Sequence, residues 1–258
     1  MEMYDSLSKD YDYFVNWPER LAYEMPFIEA QIQSAAGSSQ PVKVLDAACG
    51  TGMHAIALAR GGYAAAGADL SAGMIERAVA NAALAGVQAT FQVAGFGGLA
   101  GWFTGYDALL CLGNSLPHVL DLSELAKALV DFRACLRPGG LLLLQQRNFD
   151  AVLAQRARWM KSERAGRLGE QEWLFVRFYD FDPDGLLTFN IITLRRAGQD
   201  EWQQKVDSTR LYPWRWDELV PALEAAGFER IVCYGSMSGE PFDPQSSGNL
   251  VVSARVPL

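Results

Sequence analysis

Residues 44–52, VLDAACGTG, decide the fold of this chain. An apolar strand that ends in an acid, Asp46, and turns through two glycines into a helix presents backbone N–H groups to a nucleotide-like ligand. A second apolar run, GYAAAGAD, ends at Asp69, where a carboxylate can hold ribose hydroxyls. Together the two runs predict a nucleoside site beyond the carboxyl ends of parallel strands.

Two other interpretations of the glycine turn remain open at this stage. Gly50, Gly52 and Ala55 satisfy the G-x-G-x-x-G/A pattern of dinucleotide sites. Asp69 follows at roughly the 20-residue distance of the ribose acid in those sites. A glycine turn also occurs as a simple packing turn. However, Asp46 lies where a pyrophosphate would approach and be repelled, whereas a sulfonium with an α-ammonium group would be attracted, so the charge favours a cationic ligand.

The composition is typical of a soluble α/β enzyme. The chain has 258 residues, half of them hydrophobic, with a formal net charge of −8 and a pI near 4.9. This length supports a sizeable core within one domain. Because no cluster of Lys and Arg offers a face to a phosphate backbone, we expect no nucleic-acid partner.

Three further features predict a cytoplasmic protein. The N-terminus is acidic and aromatic, unlike a signal or transit peptide. The leucine run at residues 141–144 is far shorter than the ~18 apolar residues of a membrane span. Four scattered cysteines without a C-x-x-C pair are typical of reduced thiols.

Only His54 and His118 supply imidazoles, so we expect no metal site. The oligomeric state stays open, a homo-oligomer included.

Strands and helices alternate regularly in the first part of the chain. The predicted strands cover residues 42–46, 63–69, 87–93, 106–112 and 141–146, and the helices between them cover residues 53–60, 72–85 and 124–136. This alternation predicts a parallel, doubly wound α/β sheet with right-handed crossovers. Ligands of such a sheet bind beyond the carboxyl ends of its strands.

The pattern changes after Asn148. A short helix is predicted at residues 151–160, followed by runs rich in aromatic and β-branched residues at 172–181, 186–195 and 202–211. The DPDG sequence at 182–185 predicts a turn between the first two runs. A helix at 214–226 and strands at 228–234 and 249–254 complete the chain. We expect one domain over 1–258, in which a helical cap (1–40) precedes a ligand-binding core (41–148 and 213–258) and an antiparallel insertion (149–212) acts as a lid.

Two short motifs carry a family resemblance. GNS occupies residues 113–115, and RNFD occupies residues 147–150. With the glycine turn and the insertion, they make the chain similar to class I S-adenosylmethionine-dependent methyltransferases. More specifically, it resembles the glycine and glycine/sarcosine N-methyltransferases, whose equivalent motifs read GNS and RNYD.

The resemblance implies a fold, a cofactor and a reaction. The fold is a Rossmann-like, mostly parallel seven-stranded sheet that ends in a C-terminal antiparallel hairpin. The cofactor is S-adenosyl-L-methionine, and the methyl group moves to the nitrogen of a small amine such as glycine or sarcosine. The alternatives are an O-methyltransferase, a nicotinamide-dependent oxidoreductase and a non-catalytic protein that binds S-adenosylmethionine. A hydroxyl acceptor would need a base of suitable pKa, and no obvious one is present.

The resemblance also assigns acceptor residues. Arg147 is implied to grip the carboxylate of an amino-acid acceptor, a task that suits a guanidinium fork. The alternative for Arg147 is a salt bridge to Asp150 or Asp121. Asn114 can offer its side-chain carbonyl to an amine N–H, or it can cap a turn. His118 is a candidate proton acceptor, although a lone histidine is more often structural.

A larger set is implied for the cofactor. Arg20 aligns with the arginine that meets the methionyl carboxylate, and Tyr11 and Trp17 could line the sulfonium by cation–π contacts. These aromatics could equally pack an amphipathic helix on the sheet. The sequence VAGFGG lacks the acid or amide that often holds the adenine, so backbone atoms near Gly95 and Phe96 would replace it. The expected cofactor residues are Tyr11, Trp17, Arg20, Asp46, Ala48, Gly50, Gly52, Asp69, Leu70, Met74, Gly95, Phe96, Leu112, Gly113 and Asn114.

Overall fold

The computed structural model describes residues 12, 15–36, 41–160, 167–168 and 170–258. The strands in these ranges are β1 (Lys43–Ala47), β2 (Ala64–Asp69), β3 (Thr90–Val93), β4 (Tyr106–Cys111), β5 (Leu136–Arg147), β6 (Arg167–Leu168), β7 (Gln171–Phe181), β8 (Leu187–Ala197), β9 (Gln203–Leu211), β10 (Glu229–Tyr234) and β11 (Asn249–Arg255). The α-helices are α1 (Trp17–Ala35), α2 (Met53–Arg60), α3 (Ala72–Ala85), α4 (Leu122–Cys135), α5 (Phe149–Gln155) and α6 (Trp216–Ala225).

The main sheet has seven strands in the order β10-β11-β5-β4-β1-β2-β3. Strands β1 to β5 are parallel, whereas β11 is antiparallel to β5 and β10 is antiparallel to β11. The predicted Rossmann-like sheet with a C-terminal antiparallel hairpin is confirmed. The strand order reverses at β1 and β4, which places a crevice at their carboxyl ends.

Apolar side chains cover both faces of this sheet. Leu109 packs on one face with Phe132 of α4 and Trp214, while Leu110 packs on the other face with Ile28 of α1. Because successive residues of a strand point to opposite faces, a strand buried on both sides reads as a continuous apolar run. This explains why β4 and β5 lack the polar alternation of an exposed sheet.

Local capping sets the helix ends. Ser71 accepts a hydrogen bond from the backbone N–H of Met74 at 3.1 Å, so α3 begins where the sequence predicts it. Asp121 caps α4 in the same way, and the helix therefore begins at Leu122, before the predicted residue 124. The helix predicted at 151–160 instead spans 149–155. Asn148 caps it at the N-terminus, and Arg156, at a φ of 48°, ends it.

Strand β5 also departs from its predicted limits of 141–146. The strand includes Pro138, Gly139 and Gly140, which are residue types typical of turns. Gly139 has a φ of 73°, and its N–H donates to the carbonyl of Val256 at 3.1 Å. The pairing with β4 shifts register in this region. Pairing with the end of the chain thus extends the strand through the irregular segment.

The insertion forms a second sheet of antiparallel strands in the order β6-β7-β8-β9. The predicted turn joins β7 to β8, with Gly185 at a φ of 86° and the Asp182 N–H bonded to the Leu186 carbonyl at 3.0 Å. Phe149 of α5 packs with Tyr179 of β7, so an apolar cluster joins the insertion to the helix after β5. None of the helices in the described ranges has the length and apolarity that a membrane crossing requires.

Candidate active site

A cavity of about 710 Å³ opens beyond the carboxyl ends of β1, β2 and β4. Its size is within the range of small-molecule sites. The lining residues are Ala48, Gly50, Asp69, Leu70, Ser71, Met74, Ala94, Gly95, Phe96, Gly113, Ser115, His118, Val119, Leu120, Asp121, Glu124, Thr209 and Arg210. Because Thr209 and Arg210 belong to β9, the insertion forms part of the cavity wall.

Many of the predicted site residues meet at this cavity. Those that line it are Ala48, Gly50, Asp69, Leu70, Met74, Gly95, Phe96, Gly113 and His118. Those in the described ranges that do not line it are Trp17, Arg20, Asp46, Gly52, Leu112, Asn114 and Arg147. Tyr11 lies outside the described residues. Non-lining residues can still act at the site if they orient a lining group or lie at its margin.

The glycine turn requires its glycines. Gly52 has a φ of 80°, and a Cβ placed there would lie 2.9 Å from the Cβ of Ala78 and from the ring of Phe91. Gly50 also has a positive φ, of 53°, and its N–H donates to Asp69 at 2.8 Å. The motif therefore combines a left-handed backbone with a close approach between α2 and α3.

Asp69 links the two motifs that the sequence singled out. Its two carboxylate oxygens accept hydrogen bonds from the backbone N–H of Gly50 at 2.8 Å and of Ser71 at 2.9 Å. Asp69 also lies on the cavity wall.

Asp46 is a buried carboxylate near the carboxyl end of β1, beside the cavity but not on its wall. It is 2% exposed, and its Oδ2 has no hydrogen-bond partner among the described residues. Burial raises the pKa of Asp46 to about 6, while His54 and Arg20 oppose this shift and the charges of Asp69 and Glu24 add to it. At neutral pH Asp46 is thus mostly an ionised, unsatisfied buried group, and such a group attracts a cation.

Arg20 of α1 lies beside Gly113, a residue of the cavity wall. Its Nε donates to both carboxylate oxygens of Glu24 at 3.0 Å. A Cβ built on Gly113 would lie 3.5 Å from Nη2 of Arg20 and 4.0 Å from Nη1, so the outer edge of the guanidinium faces a lining residue. The Arg20 guanidinium lies over the ring of Trp17, 5.2 Å from the centroid. Trp17 is buried and its indole N–H bonds to Asp12 at 3.2 Å, which fits the packing alternative for this aromatic.

The acceptor candidates lie where β4 and β5 end. Asn114, at a φ of 65°, accepts a hydrogen bond from the backbone N–H of Arg147 at 2.9 Å. Its carbonyl therefore ties the two strand ends together, and a bond to an amine stays a prediction. The Arg147 side chain is exposed, and neither Asp121 nor Asp150 pairs with it among the described residues. Instead Asp121 caps α4, and Asp150 accepts from the N–H of Trp216.

His118 is the imidazole on the cavity wall. Burial lowers the pKa of His118 to about 4, so its ring is neutral at physiological pH. A group with this pKa is a weak base. His118 can exchange hydrogen bonds with a ligand, but it is poorly suited to remove a proton from one.

Comparisons with known proteins agree with this geometry. A model of the methyltransferase domain matches residues 44–140, which include the glycine turn. A glycine/sarcosine N-methyltransferase of Parasynechococcus marenigrum is 32% identical over 239 residues, which cover 91% of this chain and 78% of that protein. A second one, of Halorhodospira halochloris, is 29% identical and covers 91% of this chain and 81% of that protein.

The chain belongs to the glycine/sarcosine N-methyltransferase family. It is an S-adenosylmethionine-dependent methyltransferase. A solved structure of an S-adenosylmethionine-dependent methyltransferase from Clostridium acetobutylicum superposes with a TM-score of 0.75 at 16% identity, covering 92% of each chain. At that identity the likeness confirms the fold alone.

The cofactor of this methyltransferase is S-adenosylmethionine, and the charged groups in and beside the cavity fit it. The buried carboxylate of Asp46 suits a cationic group, and the carboxylate of Asp69 on the cavity wall suits ribose hydroxyls. The outer edge of Arg20 suits a carboxylate. These three groups have the chemistry to bind a nucleoside that carries an amino-acid group and a positive charge. A pyrophosphate would instead meet the negative charge of Asp46.

Sequence reasoning missed three residues that shape this site. Glu24 and His54 are buried beside Arg20, with His54 Nε2 2.7 Å from Glu24 Oε2. The spacing of Arg20 and Glu24 at i and i+4 was a readable signal for that pair. Asp131 of α4 accepts three backbone N–H groups of the segment after β3, those of Gly97, Leu99 and Ala100, at 2.8 to 2.9 Å. No local pattern announces this contact.

Proposed function

We propose that this methyltransferase transfers a methyl group to the amine nitrogen of a small amino acid of the glycine/sarcosine kind. The observation that carries the proposal is the Arg147 guanidinium, which is exposed at the end of β5 and has no carboxylate partner among the described residues. An arginine placed so is available to a ligand carboxylate. The names of the relatives, glycine/sarcosine N-methyltransferases, support the same substrate class.

The loop that carries the GNS motif is held against the end of β5. The N–H of Gly113 donates to Oε1 of Gln145 at 2.8 Å, and the N–H of Asn114 donates to the Gln145 carbonyl at 3.2 Å. The bond from Arg147 to Asn114 adds a third link. Because these contacts fix Gly113 and Arg147 relative to each other, an acceptor held by the arginine meets a rigid neighbour on the cavity wall.

The cofactor, when bound, supplies a methyl group on an excellent leaving group. The contribution of the protein is then mainly orientation, which is worth up to ~7 to 11 kcal/mol when a lone pair is held in line with the reacting atom. His118 is too weak a base to create an alkoxide, because the pKa of His118 is lowered to about 4. This favours a neutral amine, which needs no base during the transfer, over a hydroxyl acceptor.

Arg147→Lys tests the proposal. Lysine keeps the charge but loses the bidentate fork, so we expect kcat/KM for glycine or sarcosine to fall by about 10- to 100-fold. Calorimetric affinity for S-adenosylhomocysteine should stay unchanged. Arg230→Lys is the matched control, since that exposed arginine lies on β10 and, within the described part of the chain, forms an ion pair with its neighbour Glu229 alone, at 3.7 Å.

Two results would contradict the proposal. The first is that wild type methylates neither glycine nor sarcosine although S-adenosylhomocysteine binds; the acceptor class would then be wrong. The second is an equal loss in Arg147→Lys on an amine without a carboxylate, which would make the arginine structural.

A further inference from the structure

Three side chains from α1 and α2 form a buried chain of contacts that ends at the cavity wall. Arg20 contacts Glu24 with its Nε at 3.0 Å, and Glu24 contacts His54 at 2.7 Å. The side chains of Arg20, Glu24 and His54 are 22%, 11% and 5% exposed, so the chain runs from the margin of the cavity into the interior. Neither Glu24 nor His54 lines the cavity.

The contact with Glu24 fixes which edge of the arginine is available. Both carboxylate oxygens of Glu24 lie 3.0 Å from the Nε of Arg20, so Glu24 occupies the inner edge of the guanidinium. The Trp17 ring takes one face, at 5.2 Å. What remains is the edge with Nη1 and Nη2, and this edge faces Gly113. Two parallel N–H donors on one edge match the two oxygens of a carboxylate.

The contact with His54 helps to keep Glu24 ionised, and an ionised Glu24 can hold the Nε of Arg20. Burial acts to raise the pKa of Glu24, but the hydrogen bond from His54 and the charge of Arg20 outweigh it, and the pKa is lowered. Glu24 thus stays ionised in a buried position. The His54 ring is itself held edge-on by Trp17, with centroids 5.5 Å apart. The two helices therefore brace the carboxylate from both sides.

We propose that Glu24 and His54 are positioning residues, which aim the outer edge of Arg20 at the carboxylate of the 3-amino-3-carboxypropyl group of S-adenosylmethionine. Asp46, whose Oδ2 has no hydrogen-bond partner among the described residues, interacts electrostatically with His54, Arg20 and Glu24. The cluster thus offers a cationic and an anionic group to a zwitterion. The proposal concerns the cofactor alone and does not depend on the acceptor proposed above.

The test compares two ligands that differ in whether they carry the 3-amino-3-carboxypropyl group. S-adenosylhomocysteine carries it, and 5′-deoxy-5′-methylthioadenosine does not. For Glu24→Gln we expect the calorimetric affinity for S-adenosylhomocysteine to fall by about 10-fold, the range of a charge-assisted contact, with the affinity for methylthioadenosine unchanged within about 2-fold. Glu19→Gln is the matched control, since Glu19 is an exposed glutamate on the same helix, bonded to Asn16.

A double-mutant cycle separates positioning from general stability. If Glu24 acts through Arg20, Glu24→Gln should cause no further loss in an Arg20→Leu background. His54→Gln leaves the side chains of Arg20 and Glu24 intact. It should likewise lower the affinity for S-adenosylhomocysteine and leave the affinity for methylthioadenosine unchanged. It also serves as the readout if Glu24→Gln does not fold. Equal losses for both ligands, or no loss for either, would overturn the proposal. No acceptor is present in these measurements, so they can fail while the acceptor proposal holds.

Discussion

At the scale of single residues, the site contains a carboxylate that lowers the stability of the free protein. Asp46 is buried with an unsatisfied oxygen, whereas Asp107, which is also buried, accepts hydrogen bonds from Lys43 and Arg137 at 2.8 and 2.6 Å. The two residues have the same side chain and similar burial. Both carboxylate oxygens of Asp107 accept a hydrogen bond, whereas Oδ2 of Asp46 accepts none from the described residues. An unsatisfied buried charge at a ligand site is typical of a group that awaits an oppositely charged ligand.

Asp46→Asn should stabilise the free protein at neutral pH and weaken ligand binding. Burial raises the pKa of Asp46 from 3.8 to about 6, so the native state binds more protons than the unfolded state between these values. The resulting stability is complete below about pH 4 and is lost as pH rises through 6. We therefore expect Asp46→Asn to gain about 1 to 3 kcal/mol at pH 7.5 relative to its effect at pH 4, as measured by urea denaturation.

The same substitution should reduce the affinity for S-adenosylhomocysteine at pH 7.5 and remove the decline of that affinity below about pH 6, because protonated Asp46 no longer attracts a cation. The matched control, Asp107→Asn, should instead lose stability at pH 7.5, since it breaks an ion pair with Arg137 at 2.6 Å. If Asp46→Asn were destabilising to the same extent at both pH values, the buried charge would be satisfied in solution and the interpretation would be wrong.

At the scale of elements, the turn from β1 into α2 depends on contacts as well as on backbone conformation. Gly52 and Gly86 both have a positive φ, of 80° and 67°. A Cβ on Gly52 would lie 2.9 Å from Ala78 and Phe91, whereas a Cβ on Gly86 would have nothing within 4 Å. Alanine substitutions at these two glycines therefore separate two losses of folding free energy: the loss from a left-handed backbone and the loss from steric contact of the added Cβ.

We expect Gly86→Ala to cost about 1 kcal/mol, the price of a left-handed alanine, and to leave the affinity for S-adenosylhomocysteine unchanged. Gly52→Ala should cost a further ~1 to 3 kcal/mol, because its neighbours in α3 and β3 must move, and it should weaken the ligand. Urea denaturation and calorimetry on both variants measure the two effects. Equal costs for the two substitutions would show that the turn has room to relax.

At the scale of the whole molecule, the insertion returns to the core beside the loop after β4. The N–H of Tyr212 donates to the carbonyl of Pro117 at 2.8 Å, and the indole of Trp214 donates to Val119 at 3.0 Å. Strand β9 ends at Leu211, directly before these contacts, and contributes Thr209 to the cavity wall. The cavity is therefore built jointly by the two sheets, and a ligand within it should stabilise the fold as a whole.

S-adenosylhomocysteine at 100 times its Kd should stabilise the native state by about 2.7 kcal/mol, which corresponds to a rise in Tm of roughly 5 to 10 °C for a chain of this size. NAD at the same concentration should leave Tm unchanged, because its pyrophosphate would approach the Asp46 carboxylate. Scanning calorimetry with each ligand measures both effects. A rise in Tm with NAD would mean that the charge of Asp46 does not select against a dinucleotide.

The sequence by itself determined the features that local chemistry controls. Apolar runs that alternate with helical segments sufficed for the parallel sheet, the family resemblance implied its antiparallel end, and the cap at Ser71 set the start of α3. The glycine turn and Asp69 identified the crevice, because a positive φ and a strand-end acid are encoded within a few residues. The limits of α5 and β5 escaped prediction, since Met160 and Gly139 pair with residues distant in sequence, Arg177 and Val256.

Only the tertiary structure decided which side chains satisfy one another. It left Oδ2 of Asp46 without a hydrogen-bond partner among the described residues while Asp107 has two, and it assigned the Asn114 side-chain carbonyl to the N–H of Arg147. It also joined Glu24 of one helix to His54 of the next. Hydrogen bonds and buried charges depend on distances of a few ångströms between segments that are far apart in the chain. A sequence pattern records the residue types but carries no such distances, so the satisfaction of each group emerges only when the chain is folded.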